Sequence, residues 1–187
     1  MQVSKNRGFT IIELVIVLTI IGLVTAIAAP NIDLGRYRLD TALQGIGSTI
    51  MLAQRAAVTR QHNIVVRFDV PNQAIFVHYD GDNDGALDTG ERERRYPLGD
   101  QVIFGTAGAP AHGIGASVVT FTDPIRALPS VTFHRNGSAS QAGGFYLAAA
   151  RSAAGGKPTD ARVMELERST GRVSWYRYDG SQWKRGM

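Results

Sequence analysis

Twelve consecutive residues carry the densest chemistry in the chain. Asp80-Gly81-Asp82-Asn83-Asp84-Gly85-Ala86-Leu87-Asp88-Thr89-Gly90-Glu91 satisfies every fixed position of the pattern D-x-[DN]-x-[DN]-G-x₅-E. In that pattern Asp80, Asp82 and Asp84 converge on a Ca²⁺ ion, Gly85 permits the sharp turn, and Ala86 offers its carbonyl. Asp88 acts through water, and Glu91 closes the shell with two oxygens. The flanks read as strands instead of the two helices that usually carry such a loop. A plain solvated turn, neutralised by Arg92, Arg94 and Arg95, is therefore the alternative.

A second charged feature is a single carboxylate in oil. Residues 9–29 form an apolar run whose one charge is Glu13. As a helix the run would rise about 32 Å, enough to cross a hydrocarbon core. A carboxylate at such a place costs about 2.5–3.5 kcal/mol on insertion scales and calls for a partner. The leader before it is short and basic, with Lys5 and Arg7, and should stay cytoplasmic while the body is sent outward. A secretory signal fits poorly, because the small-residue junction Gly8-Phe9 precedes the apolar run. A cut there would keep the membrane helix and create a free amine, a suitable partner for Glu13 of a neighbouring copy.

Gly8-Phe9-Thr10-Ile11-Ile12-Glu13-Leu14 resembles the G-F-T-x-x-E-L motif of type IV prepilins and type II secretion pseudopilins, with Gly22 and Pro30 as further marks. The resemblance implies cleavage after Gly8 by a prepilin peptidase, N-methylation of Phe9, and pairing of Glu13 with the amine of an adjacent subunit. Leu52-Ala53-Gln54-Arg55-Ala56-Ala57-Val58 is similar to the helix end of the GspH/FimT family of minor pseudopilins and pilins. So is the later order of Leu128-Pro129-Ser130, Asn136-Gly137, Gly144-Phe145 and Ser169-Thr170-Gly171. The partners so implied are other pilin or pseudopilin subunits, the peptidase, an inner-membrane assembly platform and membrane lipid. The location implied is the inner membrane with a periplasmic body, and then a pseudopilus or pilus. Both filament systems share the motif, so both remain open.

Near the C-terminus, Arg172, Trp175, Arg177, Trp183, Lys184 and Arg185 gather cations and flat side chains that could grip DNA through phosphates and stacking. Some FimT-type pilins bind DNA through a G-R-x-R motif; the matching stretch here, Gly171-Arg172-Val173-Ser174, lacks the second Arg. The alternative is a final strand with aromatics on the core and charges in water.

The rest of the composition excludes more than it assigns. The chain has 187 residues, 44% hydrophobic and 19% charged, too apolar for disorder. With no Cys there is no disulfide framework, zinc ribbon or thiol nucleophile, and a net charge of +4 is too mild to imply nucleic acid. His62, His78, His112 and His134 have no metal spacing, and Gly155-Gly156-Lys157-Pro158-Thr159 lacks the spacing of a phosphate loop and reads as a flexible hairpin loop. An enzyme is not expected, and no cofactor is required.

The elements that must position these groups follow from periodicity. Leu39, Ala42, Leu43, Ile46, Ile50, Ala53 and Ala57 recur at threes and fours, predicting one long helix from about 9 to 59, loosened near Pro30. Gly45 and Gly47 within it are expected to allow close packing on a sheet. From residue 63 the period becomes two. Strands are expected at 64–68, 74–79, 93–96, 102–104, 118–121, 130–134, 144–149, 162–167 and 172–178. The expectation is an α+β, pilin-like lollipop: leader 1–8, membrane and filament-core helix 9–30, amphipathic half 31–60, and a β-rich body 61–187 packed as antiparallel sheet on the helix.

Overall fold

The computed structural model describes residues 9–28 and 34–186. The leader and Pro30 lie outside them. Two compact units are present, one ending at Leu34 and one beginning at Gly35.

The first unit contains helix α1, Ile11–Ala28. It is apolar on every side, and its large side chains are roughly half to nine-tenths exposed, from 46% at Val17 to 86% at Ile11. Thr10 starts it: the Thr10 hydroxyl accepts the Glu13 amide at 3.3 Å, satisfying one of the amides that a helix start leaves open. The Thr10-x-x-Glu13 spacing of a capping box was there to be read in the sequence.

Helix α2 spans Leu34–Arg60, and all but its first residue belong to the second unit. Helix is described over Ile11–Ala28 and Leu34–Arg60, and residues 29–33, on which the expected continuity near Pro30 rests, lie outside the described residues. The predicted stripe is the buried one: Leu39, Leu43, Ile46, Ile50, Ala53 and Ala57 are at most 4% exposed, and Ala42 packs partly against them. Gly47 is buried, and a Cβ there would sit 3.1 Å from the end of Met164, so this glycine does let the helix approach the sheet. Gly45 does not; it is exposed with open space around it.

Ten strands follow, in two antiparallel sheets. Sheet 1 has the order β3-β2-β1-β6-β5, with β1 Asn63–Asp69, β2 Ala74–Asp80, β3 Arg92–Pro97, β5 Asp123–Ile125 and β6 Leu128–Phe133. Sheet 2 has the order β10-β9-β8-β7-β4, with β4 Val102–Phe104, β7 Gly143–Ala149, β8 Ala161–Leu166, β9 Val173–Tyr178 and β10 Trp183–Arg185. Their inner faces meet around Phe68, whose ring lies 5.0 Å from that of Phe121 and 5.1 Å from that of Phe145. The buried stripe of α2 belongs to the same core.

Three expectations differ. Residues 118–121 are not a strand but a single bridge, Val119 to Phe145, running over Gly143 and Gly144 where β7 has no side chains to hold a neighbour off. Two short strands were not expected: β5 reads Asp-Pro-Ile, whose proline argues against a strand, and β10 reads Trp-Lys-Arg, with cations at two of its three positions. Where a hairpin loop was expected, a five-residue helix α3, Ala150–Ala154, and a 3₁₀ turn, Pro158–Asp160, connect β7 to β8. Buried Asp160 makes that turn specific: it accepts from Ser152 Oγ and from Arg36 Nε, each at 2.6 Å, tying the start of α2 to the connection.

Candidate functional site

Three places were expected to carry function. At the N-terminal motif, Gly8 and Pro30 lie outside the described residues. Phe9 precedes α1 and is 82% exposed. The Glu13 backbone is capped by Thr10, and its carboxylate has no partner among the described residues. A Cβ on Gly22 would meet nothing, so no contact within the chain explains that glycine. Among the described residues no helix is long and apolar enough to cross a membrane. The 18 residues of α1 rise about 27 Å, a little short of a hydrocarbon core of about 30 Å. The predicted span also counts Phe9 and Thr10, which precede that helix, and Ala29, which lies outside the described residues.

The acidic loop leaves the end of β2. Asp80 is buried, and its carboxylate accepts the amides of Asp84 and Gly85, each at 3.1 Å. Asp82 accepts from the Asp84 amide, and Asp84 from the Ala86 amide at 2.7 Å. These turns fold the loop back so that carboxylate oxygens of Asp80, Asp82 and Asp84 lie within 4.8 Å of one another. Burial pushes the Asp80 carboxyl above its usual range, and the neighbouring charge of Asp84 does the same to Asp88.

Glu91 has a different job. Its carboxylate takes the ring of buried His78 at 2.7 Å and the amides of Gly81 and Asp88. The His78 hydrogen bond, followed by the two amides, holds it down at about 2. Glu91 thereby staples the loop to sheet 1, and its charge adds to the upward push on Asp80 and Asp88. Of the predicted carboxylate ligands, the structure groups Asp80, Asp82 and Asp84; Asp88 and Glu91 are not in that group. The predicted neutralisation by Arg92, Arg94 and Arg95 is absent among the described ion pairs; Arg95 instead donates to the Asn72 carbonyl.

The tail is divided. Trp175, Arg177, Lys184 and Arg185 line one cavity of about 370 Å³ with Asp40, Leu43 and Gln44 of α2. Arg172 does not line it; five residues of extended chain, about 17 Å, separate it from Arg177. The alternation left open by the sequence is settled by packing. Val173 and Trp175 rest against the core, while Tyr176, Tyr178 and Trp183 join His112 in ring contacts on the other face. Residues 105–117 cover that face, held by Trp183 Nε1 donating to Pro110 and by the Tyr146 hydroxyl, which accepts the His112 amide and donates to Gly115. Gly171 is also structural. A Cβ there would lie 2.4 Å from the Gly137 carbonyl, and the backbone is left-handed, with φ +61°. Gln54, unremarked in the sequence beyond its family-like segment, donates to Gly137 at 3.0 Å and Thr170 at 2.6 Å, so α2 bridges the two turns.

The four histidines do not assemble a metal group among the described residues, where Asp80, Asp82 and Asp84 form the one cluster.

In comparisons with known proteins, no curated protein matches the chain. Among solved structures, the minor pseudopilin EpsH from the Type 2 Secretion System of Vibrio cholerae aligns at 12% identity and a TM-score of 0.45, covering 79% of this chain and 97% of that one. Residues 3–29 match the model of the prokaryotic N-terminal methylation motif. Gly8, Phe9 and Glu13 fall inside that match, so the chain carries a prepilin-type N-terminal methylation motif.

Proposed function

We propose that this protein is a minor pilin or pseudopilin, a structural subunit and not an enzyme, of the GspH/FimT kind. The observation that carries the reading is the methylation motif over residues 3–29, together with the Glu13 carboxylate, which has no partner among the described residues. Residues 9–29 anchor the subunit in the inner membrane and later become filament core. A prepilin peptidase removes residues 1–8, and Phe9 is N-methylated. Glu13 then meets the new amine of an adjacent subunit, which offsets the cost of its burial and sets the stagger between helices. The periplasmic body, with α2 buried in its core, offers lateral contacts in a type II pseudopilus or a type IV pilus.

Intact-mass and N-terminal peptide analysis of protein from the native host tests this. The expected product begins at Phe9 and carries one methyl group. Protein that keeps its first eight residues overturns the reading.

The loop supports a narrower proposal: Ca²⁺ is held by Asp80, Asp82 and Asp84, whose oxygens already converge. Glu91 remains with His78 and closes no shell, so the site is weak. With full-length protein in detergent, millimolar Ca²⁺ should raise the melting temperature by a few degrees, and Asp82→Asn with Asp84→Asn should abolish the shift. An unmoved melting curve overturns this assignment. DNA retention is the competing reading of the tail. It draws on the meeting of Trp175 with three cations, but Arg172 stands apart and Asp40 shares the cavity, a small footprint for a polyanion.

A further inference from the structure

Strand β3 is an edge of sheet 1 and offers a full strand's length of open backbone. The other edge strands, β4, β5 and β10, have three residues each, against six in β3. Its ladder to β2 is fixed in phase where the Leu98 amide donates to the Gln73 carbonyl at 3.0 Å. Hydrogen-bonded pairs alternate in an antiparallel ladder, so Arg92, Arg94 and Tyr96 bond inward to β2. The amides and carbonyls of Glu93 and Arg95, and the carbonyl of Pro97, face outward and have no partner among the described residues. Such a row is a template for a strand of another chain.

The side chains select what can pair there. Arg92 and Arg94 are exposed and form no ion pair among the described residues, and Arg95 reaches only the Asn72 carbonyl, at 3.3 Å. The one acid of the strand, Glu93, is already shared by Arg67 of β1 and Arg126 of the β5–β6 turn. The edge is therefore cationic on both faces of the sheet, with Arg92 and Arg94 on the face of Tyr96 and Arg95 on that of Glu93. A second copy fits poorly. Antiparallel pairing centred on Glu93, Arg94 or Arg95 sets that residue against its own twin, and like charges directly opposite repel. The same charges complement a negative strand, so the edge discriminates against itself and in favour of an acidic partner.

We propose that β3 pairs edge to edge with an acidic, extended segment of a different protein, which lengthens sheet 1 by one strand. The inference rests on the pilin reading for the supply of neighbours: the partner is then a different subunit of the same filament. The backbone ladder supplies affinity, and Arg92, Arg94 and Arg95 supply the choice of partner.

The probe is a synthetic peptide, acetyl-Thr-Val-Glu-Glu-Lys-Glu-Thr-amide, complementary to residues 91–97 in antiparallel register. Its acids fall opposite Arg95, Arg94 and Arg92, its lysine opposite Glu93 and its valine opposite Tyr96. Full-length protein in non-ionic detergent should bind the labelled peptide, read by fluorescence anisotropy, with saturation below about 1 mM. Methylating the amides of the third and fifth peptide residues, which face β3, should weaken binding at least about tenfold. Methylating those of the fourth and sixth, which face away, should change it less than about twofold. Arg94→Glu in the protein should weaken the unmodified peptide about fivefold or more. No saturation at that concentration overturns the proposal, and so does equal binding of the two methylated peptides, which is charge attraction with no strand added. A dimer of the protein alone that excess peptide disperses overturns it in favour of a second copy. Each of these results leaves the pilin reading standing; an N-terminus that keeps residues 1–8 sinks that reading and leaves the strand pairing untouched.

Discussion

Glu13→Leu should leave the subunit in the membrane and processed, yet reduce its incorporation into filaments at least tenfold. The substitution removes the one charge of the apolar run, so insertion becomes easier by about 2.5–3.5 kcal/mol. The helix start survives, because Thr10 caps the Glu13 backbone and not its side chain. The lost acid in the first turn costs about 0.3–1 kcal/mol. What disappears is the partner for the amine of the next subunit. A buried cation left unpaired costs about 3–5 kcal/mol, more than enough for a tenfold defect. Membrane fractionation, N-terminal mass and the sheared filament fraction measure the three consequences separately. Normal incorporation of the leucine variant would contradict the register role.

The second large effect concerns the body. Gly144 lies in β7, between β8 and β4, where a Cβ would come 2.0 Å from the Met164 carbonyl oxygen and 2.9 Å from Ile114. Backbone cannot yield there without parting β7 from β8. Gly144→Ala should therefore cost at least about 3 kcal/mol. For a body of this size that is a fall of roughly 6–12 °C in melting temperature. Gly45→Ala serves as the control: exposed, mid-helix and with open space around it, it should be neutral or stabilise by up to about 1 kcal/mol. Thermal melts of the two full-length variants in detergent decide the matter; equal melting temperatures would refute the close approach at Gly144.

The two glycines also show why reading a sequence reaches only so far. Gly45 and Gly47 look alike on a helix, and both were expected to permit close packing. The two-residue step from Gly45 to Gly47 turns the helix by roughly 200°, so only Gly47 faces Met164. The acidic loop teaches the same lesson. Its spacing matches a Ca²⁺ pattern at every fixed position, yet Glu91 is drawn to His78, a β2 residue thirteen positions earlier that no loop pattern includes.

By itself the amino-acid order determined the N-terminal motif, the apolar run and the buried stripe of α2. Each is a local matter, set by residue type within a few turns of one segment, where a period of 3.6 or the cost of one charge in oil suffices. It also determined an α+β chain of short antiparallel strands, because alternation survives without knowledge of neighbours. Tertiary structure alone decided which strands pair. It brought Arg162, Arg177 and Lys184 into one row, carried Gln54 to the two turns it bridges, and gave Glu91 to His78. Those meetings depend on register, and a shift of one residue would send every side chain of a strand to the opposite face.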